Sequence, residues 1–220
     1  MSANYQNLTI PIDEIKQLTN QYFGIKIQKI KPLQGEVDFN FYIKTDQSEE
    51  FALKISRPDT DTKELDFQAA ILNFLSKKAI PLDLPTAVPT IEGDFYKKID
   101  AKYGQNRFIR LQKWVDGRVV DSINPRTDEV LQNWGKAIGQ LSTHLQGFDH
   151  EAAHRFYKWN PSETLFSKKY LSYIQENTQK ELLTTFGIFL KRKHNQSSQH
   201  FAKVSTIMMH MVIIYWLVMI

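Results

Sequence analysis

Apolar side chains recur along the chain in two rhythms. Ile12, Ile15, Leu18 and Tyr22 fall on one helical stripe, with Asp13 and Glu14 in the first turn, so residues 12–23 read as a short amphipathic helix. The rhythm then changes to alternation. Ile25 to Ile30, Phe39 to Lys44 and Phe51 to Ile55 are short, β-branched or aromatic runs, separated by Gly35 and by the polar stretch Thr45 to Glu50. This predicts a meander of at least three antiparallel strands. Asp59 or Thr60 is placed to cap a helix over about residues 62–78, with Leu65, Ala69, Leu72 and Leu75 as its apolar stripe. A connector rich in proline (Pro81, Pro85, Pro89) leads to two further strands, Gly93 to Ile99 and Arg107 to Trp114. Beyond the turn at Asp116-Gly117 the helical period returns, first over Asp128 to Leu145 and then over about residues 162–184. Trp134, Phe148 and Trp159 are the expected core of this second part. Five strands around one inserted helix, followed by helices alone, make an α+β fold with two unequal lobes.

Composition narrows the possibilities. A chain of 220 residues, 42% hydrophobic and 24% charged, is ordinary globular material with enough length for a real core. It has no cysteine, which excludes a disulfide framework, a thiolate metal site and a cysteine nucleophile. The opening segment MSANYQNLTIPIDEI shows neither a basic nor an apolar signal region, so the expected location is the cytoplasm. The net charge of +4 is confined to one end. Every acid lies at or before Glu181, whereas Lys191, Arg192, Lys193 and Lys203 follow it. The body is therefore neutral, without the basic stripe of a nucleic-acid partner, and none is expected. The apolar run Ile207 to Ile220 is interrupted by His210 and falls short of the ~20 residues needed to span a bilayer, so no membrane partner is expected either.

Three local features could carry chemistry. The bend Leu33-Gln-Gly-Glu-Val-Asp-Phe-Asn-Phe41 can turn backbone N–H groups toward phosphates. Lys54 stands inside the apolar strand Phe51-Ala-Leu-Lys-Ile55, where a buried ammonium needs an anionic partner. The strand Phe108 to Trp114 runs into Val115-Asp-Gly117 and could present its backbone to a purine. Taken singly, the first is equally a plain hairpin turn and the second a lysine reaching for water. His144, His150 and His154 match no zinc spacing, and packing or surface roles are expected for them.

The order of bend, strand lysine, helix, linker strand and helical lobe is that of protein-kinase-like ATP lobes. The chain resembles the aminoglycoside phosphotransferase/choline kinase-like enzymes, and within them the hydroxylysine kinase branch. The matching stretches are residues 33–41, Ala52 to Ile55, Leu65 to Leu72, Arg110 to Gly117, and Gly147 to Arg155 with Trp159-Asn160. The resemblance implies a small antiparallel-sheet lobe with one helix over residues 1–113, the start of a helical lobe over 114–185, and an aberrant tail over 186–220. It implies ATP and Mg²⁺ as cofactors and a small amino alcohol as substrate. The branch also occurs fused in front of aminotransferase domains, which makes an aminotransferase a candidate fusion partner or neighbour. Gly35, Glu36, Asp38 and Asn40 would cover the phosphates and Lys54 would bind them. Gln112, Lys113, Trp114 and Val115 would form the hinge against adenine. Gln68 occupies the helix position where the family has a glutamate to pair the lysine. Glu64, one turn earlier, is the substitute the sequence offers.

The family's catalytic loop, His-x-Asp-x-x-x-x-Asn, and its later metal-binding aspartate do not occur in the sequence. A shifted reading of the tail accounts for this. Triplets starting at the third base of each codon force Asp across Met208–Met209, Ala across Met209–His210, Gly across Met211–Val212 and Leu across Tyr215–Trp216. The whole stretch is compatible with His-Asn-Asp-Ala-His-Gly-Asn-Asn-Ile-Leu-Val-Gly. The expectation is a frame slip between about residues 183 and 197, leaving a truncated kinase. The competing expectation is a nucleotide-binding module without catalysis.

Overall fold

The computed structural model describes residues 10–33, 35, 38–58, 60–100, 106–118, 122–154 and 168–196. The chain divides into two units, Met1–Asp116 and Gly117–Ile220.

In the first unit, helix α1 (Ile12–Phe23) buries Ile15, Leu18 and Phe23, and Gly24 closes it in a left-handed conformation (φ 67°) that a side chain would resist. Strands β1 (Ile27–Leu33), β2 (Phe39–Thr45) and β3 (Glu50–Ile55) follow as the expected meander. Helix α2 spans Thr62–Ser76, and then come β4 (Ala87–Val88), β5 (Lys97–Lys98) and β6 (Phe108–Lys113). The sheet order is β1-β2-β3-β6-β4, antiparallel at each pairing, with β5 also pairing β6. Alternation divides the residues of its strands. Phe39, Ile55 and Ile109 are register partners on one face, as are Phe41, Leu53 and Leu111. These pack with α1 into a core that includes Ile15, Ile43 and Phe51. Asn40, Lys54 and Arg110 are register partners on the other face.

Several expectations need correction. Helix α2 is capped by Asp61, whose carboxylate accepts from the Lys63 N–H at 3.0 Å, while the Thr60 hydroxyl bonds to Arg57. Asp59 lies outside the described residues. The buried side of α2 is broader than the expected stripe, taking in Phe67, Gln68 and Ile71. The strand expected over 93–99 shrinks to Lys97–Lys98, because residues 90–94 form a turn closed by Thr90 and Gly93. The short strand β4 was not foreseen.

In the second unit, α3 (Asp128–His144) is capped by the Thr127 hydroxyl, as its sequence pattern requires. It has no fully buried residue, however, and Trp134 and Phe148 are only half-buried. Ile123, Leu145, Ala152 and Ala153 are the buried hydrophobic side chains described here. The last helix, α4, covers Asn177–Gln196 instead of starting near residue 162, and residues 168–173 form tight 3₁₀ turns. Trp159 lies outside the described residues.

Candidate functional site

The site grows from one sheet register. Direct pairing of Asn40 with Lys54 and of Lys54 with Arg110 sets three polar side chains abreast on β2, β3 and β6. The Lys54 ammonium donates to Asn40 Oδ1 at 2.9 Å. Asn40 Nδ2 in turn donates to the Asp38 carbonyl at 3.1 Å, fastening the end of the bend to the strand that follows. Arg110 Nη2 completes the group with an ion pair to Asp38 Oδ2 at 2.6 Å. Gly35 lies over this arrangement. A methyl group there would collide with Asn40 Nδ2 and stand 2.5 Å from the Asp38 carbonyl oxygen, so glycine is needed for the close approach.

Electrostatics follow from burial and from the surplus of positive charge. Burial, and after it the neighbouring Arg110 guanidinium, push the Lys54 ammonium down to about 8, against the opposing pull of Asp38. Burial pushes Asp38 upward, but Arg110, Lys54 and Arg57 outweigh it and hold the carboxyl below its ordinary value. Both cations therefore sit next to one carboxylate, and the group carries spare positive charge suited to a polyanion.

The remaining expected residues are distributed as follows. Glu36 lies outside the described residues. Gln68 is buried, and its Oε1 has no hydrogen-bond partner among the described residues, so it does not bond to the Lys54 ammonium. Glu64, the expected substitute, pairs with Arg57 at 3.2 Å. Gln112 is 3% exposed, lines a small cavity with Gln68, Leu72 and Arg110, and lies inside the sheet opposite Ala52 and Ala87, so its backbone belongs to the strand ladder. The N–H groups of Lys113 and Trp114 are bonded to the carbonyls of Thr86 and Glu50. Trp114 packs edge-on against Tyr42, with ring centroids 5.0 Å apart. The backbone of Val115 is engaged by no described residue. Arg110 is the member of the group that sequence reasoning passed over. Its signal was the same as that of Lys54, a cation inside an apolar strand.

Among the described residues no three His, Asp or Glu side chains gather where a metal ion could be held. Asp38, the one carboxylate in the group, is taken up by Arg110. The described residues thus suit phosphate oxygens and do not themselves suit Mg²⁺. Nor is any described helix long and apolar enough to cross a membrane.

The antiparallel sheet, its inserted helix and the strand lysine define the class, a protein-kinase-like α+β fold. The chain belongs to the phosphotransferase enzyme family (APH), whose model matches residues 29–196. Among its relatives are hydroxylysine kinases of Danio rerio, 24% identical over 155 residues, and of Xenopus laevis, 26% identical over 186 residues. These matches cover 68% and 78% of this chain but only 43% and 49% of the relatives, so the chain spans about half their length. Among solved structures, the amicoumacin kinase hAmiN in complex with AMP-PNP, Ca²⁺ and Ami is similar with a TM-score of 0.62 at 14% identity. That match covers 87% of this chain and 56% of the kinase. A microcompartment-associated aminopropanol kinase is similar with a TM-score of 0.53 at 16% identity, over 76% of this chain and 58% of its own.

Proposed function

We propose that this chain binds ATP on the polar face of its sheet, as the nucleotide-binding half of an ATP-dependent phosphotransferase. Its acceptor would be the hydroxyl of a small amino alcohol such as 5-hydroxylysine. The observation that carries the reading is the Lys54 ammonium, half-buried on the sheet and held by Asn40, against whose amide Gly35 packs. In that position it would neutralise charge on the α- and β-phosphates. Phosphate oxygens would also restore the proton that burial discourages, because an anion raises the pKa of a neighbouring amine. The backbone of Val115, just past β6 and bonded to no described residue, is the candidate contact for adenine. The hydroxylysine kinase relatives and the aminopropanol kinase neighbour support an amine-bearing alcohol as the acceptor class.

A second reading, nucleotide binding without turnover, is favoured by one specific observation. The loop that would take the proton from the acceptor hydroxyl does not occur in the 220 residues. Equilibrium binding of AMP-PNP to the purified chain tests the shared part of both readings. Lys54→Met is expected to weaken it about tenfold or more, as loss of a charge-assisted contact should. Wild-type affinity in that variant would remove Lys54 from the site. Release of ADP with 5-hydroxylysine above the background without acceptor would favour the catalytic reading. Binding with no such release would favour the second.

A further inference from the structure

Arg110 has no part in the proposal above, yet it is a deeply buried cation of the first unit. It is 6% exposed, lies directly across the β3–β6 ladder from Lys54, and meets Asp38 at 2.6 Å. A guanidinium buried this deeply is costly without a counter-ion, so the pair fixes both partners. Asp38 closes the bend, and its carbonyl accepts from the same Asn40 side chain that receives the Lys54 ammonium. Arg110, Asp38, Asn40 and Lys54 thus form one connected chain of polar contacts across three strands. From helix α2, Gln68 Oε1 accepts no hydrogen bond from Lys54, and Glu64 pairs with Arg57. The other charged groups near Asp38 are Arg57 and Arg107, and Arg107 is tied to the Ser56 carbonyl at 2.9 Å.

We infer that the Asp38–Arg110 ion pair takes the place of the lysine–helix carboxylate pair, positioning the bend and Lys54 for nucleotide phosphates. Arg110 is then a positioning residue and not a phosphate ligand. Its Nε and Nη1 are buried and unpartnered among the described residues, and its side chain borders the cavity shared with Gln68. This inference rests on the nucleotide-binding reading.

The test uses the full chain and four variants, Asp38→Asn, Arg110→Met, their combination, and Arg110→Lys, with AMP-PNP and adenosine as separate probes. Each single variant is expected to weaken AMP-PNP about tenfold by loosening the phosphate contacts while leaving adenosine unchanged. The double variant should be no weaker than either single, because the two residues act as one unit. Arg110→Lys should recover part of the loss. An independent readout is the titration of Lys54, followed by NMR of ¹³C-methylated lysines. Arg110→Met removes a repelling cation and should move the Lys54 midpoint up, whereas Asp38→Asn removes an attracting anion and should move it down. These opposed shifts report the contact of the pair with Lys54, whereas a merely structural role would weaken AMP-PNP and adenosine together. Asp38→Asn is isosteric, so it carries the test even if Arg110→Met does not fold. Wild-type AMP-PNP affinity in the single variants, or additive losses in the double, would overturn the inference and leave nucleotide binding standing. No AMP-PNP binding by the wild-type chain would overturn the underlying reading and the inference together.

Discussion

Lys54 is a cation that its own surroundings discourage, and this has a measurable cost. Its ammonium is pushed down to about 8 in the folded chain, against about 10.4 for a lysine in an unfolded one. Between those values the unfolded state binds a proton that the folded state has released, so stability gains from Lys54 as pH rises through that window. Urea melts at about pH 7.5 and pH 9.5 should show this alkaline gain in the wild type. Lys54→Met, measured at the same two pH values, should lack that component and be the more stable chain at the lower one. Asp38 acts in the opposite sense. Its depressed pKa lends stability above the ordinary carboxylate range, and that stability is lost on acidification. Lys54 and Asn40 were singled out through the family resemblance, because a cation in an apolar strand is by itself equally a lysine reaching for water; the structure brings the two side chains together. Arg110 carried the same signal, but its partner lies 72 positions away. Nothing local distinguishes a buried Arg110 from Arg107 or from the exposed Lys113 on the same stretch.

At the scale of elements, legibility followed the source of each element's stability. Helix α1 and strands β2 and β3 agree with the pattern in their bounds, but the α1 stripe is only partly inside. Ile15 and Leu18 are buried, Ile12 is 46% exposed, and Phe23 is buried more fully than Tyr22. Strand β4 sits between Pro85 and Pro89 and exists only through its pairing with β6, so no local propensity announces it. The expected strand over 93–99 contained residues whose turn chemistry won over their alternation. Asn177 and Thr178, both favourable at a helix start, mark the beginning of α4 better than the apolar period did. Helix α2 is where packing and capping can be weighed against each other. Phe67 is fully buried, so Phe67→Ala should cost about 3–5 kcal/mol. Loss of the Asp61 cap in Asp61→Ala should cost only about 1 kcal/mol. Chemical denaturation of both variants checks the ranking, and a cap as costly as the core residue would mean that α2 is held by its end instead of its face.

For the whole molecule, the family match runs through both units, although the chain spans about half the length of its relatives. The second unit was the less legible one. Its helices were predicted from amphipathic stripes, yet Leu182, Leu183, Phe186 and Phe189 of α4 are 49–69% exposed. An apolar surface of that kind carries a helical period without telling which neighbour covers it. The frame slip proposed for the tail has a test at the level of the gene. The nucleotide sequence over codons 206–209, read from each third base, should give His-x-Asp; any other reading there would remove the frame slip as its explanation. The sheet topology has a consequence of its own for how the protein is made. Strand β6 is the last to be synthesised, but it lies between β3 and the short strands β4 and β5. The early hairpins therefore wait on the ribosome with an open edge, and the Asp38–Arg110 pair cannot form until β6 has emerged from the exit tunnel.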